Sequence, residues 1–111
     1  STNYIGWWRG GNPIYDAGSG PVTSITSTTV TAGPEHKLAI RYSASYATWF
    51  RDGVVLGSAS FPITAPSWSQ HIMGAWGSSA DDVVSAAALN FRTVAVLNRG
   101  LTDAEGITLT T

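Results

Sequence analysis

From Lys37 to Tyr42 the side chains change character at every residue: Leu38, Ile40 and Tyr42 share one parity, and Lys37, Ala39 and Arg41 the other. A period of two marks a β-strand with one packed and one wet face, so Leu38, Ile40 and Tyr42 are expected to line a core. Ser43-Ala44-Ser45 makes a turn, and Tyr46 to Arg51 is a second strand running into Asp52-Gly53. A two-residue Asp-Gly loop selects the type I′ turn, whose two positive φ values these residues tolerate and whose twist matches the strands it joins. The resulting register sets Arg51 opposite Val54, Phe50 opposite Val55 and Trp49 opposite Leu56, with Trp49, Arg51, Val54 and Leu56 on one face.

Other strand signals surround this hairpin. Tyr4 to Arg9 is short and aromatic, bounded by the turn cluster Gly10-Gly11-Asn12-Pro13. Pro21 to Thr31 is almost entirely Val, Ile, Thr and Ser and predicts one long or broken strand, weakly amphipathic because each parity mixes apolar and hydroxyl side chains. Pro62 and Pro66 confine the segment from Phe61 to Pro66 to an edge or a loop. Gln70 to Trp76 predicts a strand, and Ser78 to Ser85, with Asp81-Asp82, a loop. The last long strand is expected from about Ala87 to Leu97; its buried parity switches from Leu89 and Phe91 to Val94 and Val96, which predicts a β-bulge near Arg92-Thr93. One helical signature follows. Thr102 with Glu105 three residues later forms a capping box, and Gly106 with β-branched Ile107 and Thr108 predicts a short helix.

The fold class is therefore all-β: an antiparallel β-sandwich with one short C-terminal helical turn. A chain of 111 residues is the length of one domain, residues 1–111. Only 12% of residues are charged, against about a quarter in typical globular proteins, so Ser, Thr, Asn and Gly must supply the polar surface. A formal net charge of -1 and a pI near 6.0 leave no basic footprint for nucleic acid. The absence of cysteine excludes disulfides, thiolate zinc sites and a cysteine nucleophile, and leaves the compartment open. No stretch approaches the roughly 18 apolar residues that span a membrane, and the Ser1-Thr2-Asn3-Tyr4 start lacks signal-peptide character, so the chain reads as a processed or excised piece.

The order of the pieces is specific. His36-Lys37-Leu38-Ala39-Ile40-Arg41-Tyr42, then Trp49-Phe50-Arg51-Asp52-Gly53, then Ile72-Met73-Gly74-Ala75, then the run from Val94 through Asn98-Arg99-Gly100-Leu101-Thr102 to Glu105 resembles the C-terminal part of the concanavalin A-like, laminin-G-like lectin/glucanase superfamily. Cysteine-free copies rich in Ala, Gly, Ser and Thr look most like those on bacteriophage tail fibres, tailspikes and head spikes. The resemblance implies a jelly roll, a location on the virion surface and a cell-surface glycan as partner. That jelly roll usually needs more residues than this chain has, so the strands upstream of Ser1 are expected to be missing, replaced or supplied by another chain. Edges and an apolar face left open in a half-length jelly roll imply a homo-oligomer, a trimer by the fibre analogy. The closing strand carries Arg92-Thr93 where many relatives have an acidic pair.

Glycosidases need two carboxyls about 5 to 10 Å apart across the sugar. Glu35, Asp52, Asp81-Asp82, Asp103 and Glu105 fall in loops, a turn and a helix cap, without the same-face strand spacing this requires. No catalytic residue is nominated, and a fragment of a polysaccharide-degrading hydrolase stands as the enzyme alternative. Asn12, Asp16, Asp81 and Asp82 have oxygen ligands to offer calcium, but there is no ordered D-x-D-x-D-G-like run, and turn chemistry accounts for them. No cofactor is expected. His36 and His71 each begin a strand, where edge hydrogen bonding is the simpler role. The five tryptophans are the informative excess, because sugars stack their C–H faces on aromatic rings beside planar polar partners. Trp7-Trp8-Arg9 and Trp49-x-Arg51-Asp52 fit that composition, with Trp68 and Trp76 as rim candidates. Trp7 and Trp8 must point to opposite faces of a strand. The expectation is a non-catalytic lectin-like module that binds glycan, supports oligomer assembly, or both; a purely structural trimerisation or capping domain is the other alternative.

Overall fold

The computed structural model describes residues 4–8, 12–16, 21–22, 34–43, 46–60, 75–79, 82–86, 92–97 and 99–111; for 4, 8, 16, 21–22, 75–79 and 82–86 the description is of the backbone alone. The chain divides into two compact units, one made of Ser1–Ala65 with Arg99–Thr111 and the other of Pro66–Asn98. Among the described residues every sheet is antiparallel. In the first unit β1 (Tyr4–Trp8), β2 (Asn12–Asp16) and β3 (Pro21–Val22) form one three-stranded sheet in that order. A second three-stranded sheet takes β4 (Leu38–Tyr42), β5 (Tyr46–Arg51) and β6 (Val54–Ser60), and α1 (Asp103–Leu109) closes the unit. The second unit contains the two-stranded hairpin β7 (Ala75–Ser79) and β8 (Asp82–Ala86). Among the described residues no helix is long and apolar enough to cross a membrane.

Strand β5 is the centre of the first unit, buried from Ala47 through Arg51. Adjacent Trp49 and Phe50 are both 0% exposed although they point to opposite faces. On one face the Trp49 indole N–H donates to the Gly6 carbonyl of β1 at 2.8 Å, and its ring lies 6.1 Å from that of Tyr15 in β2. On the other face Phe50 meets α1 at Gly106, where an added Cβ would lie 2.6 Å from two ring carbons.

This two-sided cover overturns the expected alternation in β4. Leu38 and Tyr42 are 43% and 40% exposed, while Arg41 on the other parity is half-buried beside Phe50 and α1. The reason is position: among the described strands β4 lies at the edge of its sheet, so its apolar face looks past the cover that Trp49 receives, and its polar face is roofed by the helix.

The Asp52-Gly53 turn is as expected, with φ of 50° and 81° and Arg51 opposite Val54, Phe50 opposite Val55. The next pair is not. A register shift between Trp49 and Phe50 sets Trp49 opposite Gly57, not Leu56, so every later residue of β6 changes face relative to the straight register. A glycine opposite the largest side chain of β5 leaves room for the indole.

Other differences are local. Asn12 and Pro13, read as part of a turn cluster, begin β2. The segment Ser78 to Ser85, expected as a loop, contains the end of β7 and the start of β8; polar hairpin residues imitate loop composition. Residues 92–97 carry no strand, and the rest of the closing strand, 87–91, lies outside the described residues. Most of the expected strand from Pro21 to Thr31 also lies outside them. The capping box forms as expected, with the Glu105 amide donating to Thr102 Oγ1 and the Thr102 amide to the Glu105 carboxylate, and the helix is short as expected, ending at Leu109.

Candidate functional site

Two polar clusters stand out in the first unit. One surrounds the I′ turn. Asp52 follows β5 directly, so its carboxylate reaches back to the segment entering β4: Oδ2 lies 2.7 Å from His36 Nδ1, and Oδ1 accepts from the Lys37 amide at 2.9 Å. The Asp52 amide donates in return to the Lys37 carbonyl. Across the turn the Gly53 amide donates to Thr110 Oγ1 at 3.1 Å, and Lys37 Nζ donates to the main-chain oxygen of Thr111 at 2.8 Å. Partial burial pushes the Asp52 carboxyl up, but the Lys37 amide, the His36 hydrogen bond and charge, and the Arg51 charge together hold it below its ordinary value. A carboxylate held ionised by fixed donors clamps a turn; a general acid needs the opposite shift.

The second cluster lies on the helix-covered face of the β4–β6 sheet. Pairing sets Arg41, Thr48 and Ser58 in one row across three strands, with Tyr46 opposite Ser60 in the next row on the same face. Arg41 NH2 donates to Thr48 Oγ1 at 2.9 Å, and Thr48 Oγ1 and Ser58 Oγ are 2.9 Å apart. Arg41 NH1 donates to the Leu101 carbonyl at 2.9 Å and reaches Asp103 Oδ1 at 2.6 Å. Thr48 is buried, whereas Tyr46 is 42% exposed and the Asp103 side chain 61%. The row thus has a buried hydroxyl at its centre and exposed Ser58 and Asp103 at its ends, with exposed Tyr46 and Ser60 in the next row. At the nearby cap the Arg99 guanidinium and the Thr102 amide hold the Glu105 carboxyl down to about 2, and Glu105 in turn raises Arg99.

The structure places the nominated aromatics unevenly. Trp49 has no exposed ring face to offer a sugar. Arg51 is also buried, so the Trp49–Arg51 face is interior to the first unit and is not its surface. Trp7 is half-buried in β1; Trp8 follows it in that strand and Trp76 lies in β7, both described as backbone only. Arg9, Trp68, His71 and Asp81 lie outside the described residues, and Asp16 and Asp82 are described as backbone only. Among the described residues no three His, Cys, Asp or Glu side chains come together as a metal site.

Tyr46, Ser58 and Arg41 escaped sequence reasoning as a group. The straight I′ register would set Ser58 opposite Ala47, on the other face; the shift at Trp49 turns it toward Thr48. The Thr48–Tyr46 spacing was a visible same-face signal, but nothing local announced the shift. No family model, curated protein or solved structure matches the chain.

Proposed function

We propose that this chain is a non-catalytic, lectin-like module of a bacteriophage fibre or spike, built as a concanavalin A-like β-sandwich, that engages a host-surface glycan as part of a homotrimer on the virion surface. One observation carries the reading. Three of the four segments whose order bears the superfamily resemblance meet: His36 and Lys37 clasp Asp52, and Arg41 holds Leu101 and Asp103, while Gly106, just past the last of them, packs on Phe50; of the fourth, residues 72–74 lie outside the described residues. Segments 15 to 62 residues apart that meet through specific side chains support a shared architecture better than composition does.

The same contacts support the absence of catalysis. Asp52, Asp103 and Glu105 are each occupied by a cation or a backbone amide, and Asp52 and Glu105 are held ionised. Leu38 and Tyr42, exposed on β4, supply the open apolar edge that a second copy would cover.

Glycan-array binding combined with sedimentation of the 111-residue chain tests the proposal. Binding above background by an assembled oligomer is expected. Background binding removes the receptor role and leaves a structural module, and a stable monomer removes the assembly role. Release of reducing ends from capsule polysaccharide would overturn the non-catalytic reading.

A further inference from the structure

We infer that the glycan is bound on the helix-side face of the β4–β6 sheet, by the ring of Tyr46 with Ser58, Ser60 and the Asp103 carboxylate, and that it is a neutral sugar. This rests on the lectin-like reading and moves its site away from the tryptophans.

The arrangement begins with Arg41, which can only donate. Its NH2 donates to Thr48 Oγ1, so the arrangement that uses the Thr48 proton as well passes that proton to Ser58 Oγ, 2.9 Å away. Ser58, which is exposed, then has its own proton to donate outward at the end of a polarised chain. At the other end of the row Asp103 gives Oδ1 to Arg41 while its side chain stays 61% exposed. The two ends of the row, on either side of Arg41 and Thr48, therefore offer a carboxylate acceptor and a hydroxyl donor, a pairing suited to the hydroxyls of an oligosaccharide.

Tyr46 supplies the stacking surface. It lies two residues before Thr48, about 7 Å along the strand and on the same face, opposite exposed Ser60. Its 42% exposure beside a row of fixed polar groups matches a sugar with one apolar C–H face and hydroxyls at its edge. The charge pattern selects a neutral ligand: Arg41 and Asp103 balance each other, and the Arg41 fork is already used by Leu101, Asp103 and Thr48. A sialylated or phosphorylated glycan finds no spare cation in this row.

The experiment is a glycan array on the full chain followed by amide-resolved NMR titration with maltotriose, N-acetyllactosamine and 3′-sialyllactose. The expected result is array binding to neutral glycans, shifts at Tyr46, Thr48, Ser58 and Asp103 with a neutral oligosaccharide, and none there with sialyllactose. Y46A should weaken binding about tenfold and Y46F far less, since the ring and not the hydroxyl stacks. S58A should weaken it as well, with only a small fall in melting temperature from the lost hydrogen bond to Thr48. Glycan binding that survives both Y46A and S58A overturns this site and leaves the lectin-like reading standing. Absence of binding on the array and in the titrations overturns both.

Discussion

Gly106 of α1 lies against the ring of Phe50, close enough that an added Cβ would stand 2.6 Å from Cε1 and Cζ. Helix propensity alone favours alanine over glycine here by about 1 kcal/mol. Packing reverses the sign. Phe50 is wholly buried and has nowhere to swing, so overpacking of about 1–3 kcal/mol wins. G106A is expected to lower stability in urea unfolding, and in an F50L background the same change should cost less, because the two residues share one space. Stabilisation by G106A would mean that α1 does not dock on this ring.

Trp49 joins the two sheets of the first unit. W49F removes the hydrogen bond to the Gly6 carbonyl, worth about 1 kcal/mol net, and leaves space beside Tyr15. W49A removes a wholly buried side chain and should cost about 3–5 kcal/mol, enough to unfold a marginal domain. Equilibrium denaturation followed by Tyr and Trp fluorescence checks the order parent, W49F, W49A. Wild-type stability in W49A would remove Trp49 from the core.

What was legible in the sequence was what local rules govern. Asp52-Gly53 fixes a turn because only residues tolerant of positive φ fit it, and Thr102 with Glu105 fixes a helix start because the two groups satisfy each other's backbone. The faces of β4 and β5 were not legible. Alternation assumes one open face, whereas Trp49 and Phe50 are covered from opposite sides by segments about 40 to 60 residues away in the chain. The Tyr46–Ser58 surface was hidden for a related reason: it exists only because the register shifts at Trp49, and a one-residue slip moves each later side chain of β6 to the other face.

Acid should act through Glu105. Its carboxyl is held at about 2 in the fold against an ordinary 4.5, chiefly by the Arg99 hydrogen bond and then by the Thr102 amide. Between those values the unfolded chain binds a proton that the folded chain does not, so this contribution is complete above about 4.5 and is lost as pH falls toward 2. Asp52, also held down, adds a contribution of the same sign. E105Q keeps an oxygen for the capping box but not the titration, so its melting temperature should fall less steeply between these pH values. Equal slopes for E105Q and the parent would show that Glu105 is not the titrating group. Both partners are open to solvent, so added salt should shrink the difference at neutral pH.

The turn separates backbone from side-chain effects. Gly53 has φ of 81°, and Thr111 Oγ1 would be 3.2 Å from an added Cβ, so G53A should cost about 1–2 kcal/mol. Asn tolerates the φ of 50° at Asp52 as well as Asp does, so D52N should keep the turn and lose only the exposed His36 contact, within about 0.5 kcal/mol. Thermal melts of the two variants at neutral pH give the comparison. A larger loss from D52N would make the His36–Asp52 pair, and not the backbone geometry, the main support of the hairpin.

Arg41 is the side chain on which the helix hangs. Its guanidinium bonds the Leu101 carbonyl, Asp103 and Thr48 and lies 5.7 Å from the centroid of the Phe50 ring. Lysine offers one point of charge for three separated acceptors, so R41K is not conservative here. It should cost about 1–3 kcal/mol and speed hydrogen exchange at Gly106 and Thr110, whose amides report α1, more than in β5 and β6. D103N removes only the exposed limb of the fork and should cost less than about 1 kcal/mol. R41M keeps the apolar stem over Phe50 and loses every hydrogen bond, so it should resemble R41K rather than D103N. If D103N matched R41K, the ion pair alone would hold the helix, and Leu101 and Thr48 would be bystanders. If R41K matched the parent, the contact of Gly106 with Phe50 would be enough to dock α1, and the polar row would be free of any structural duty.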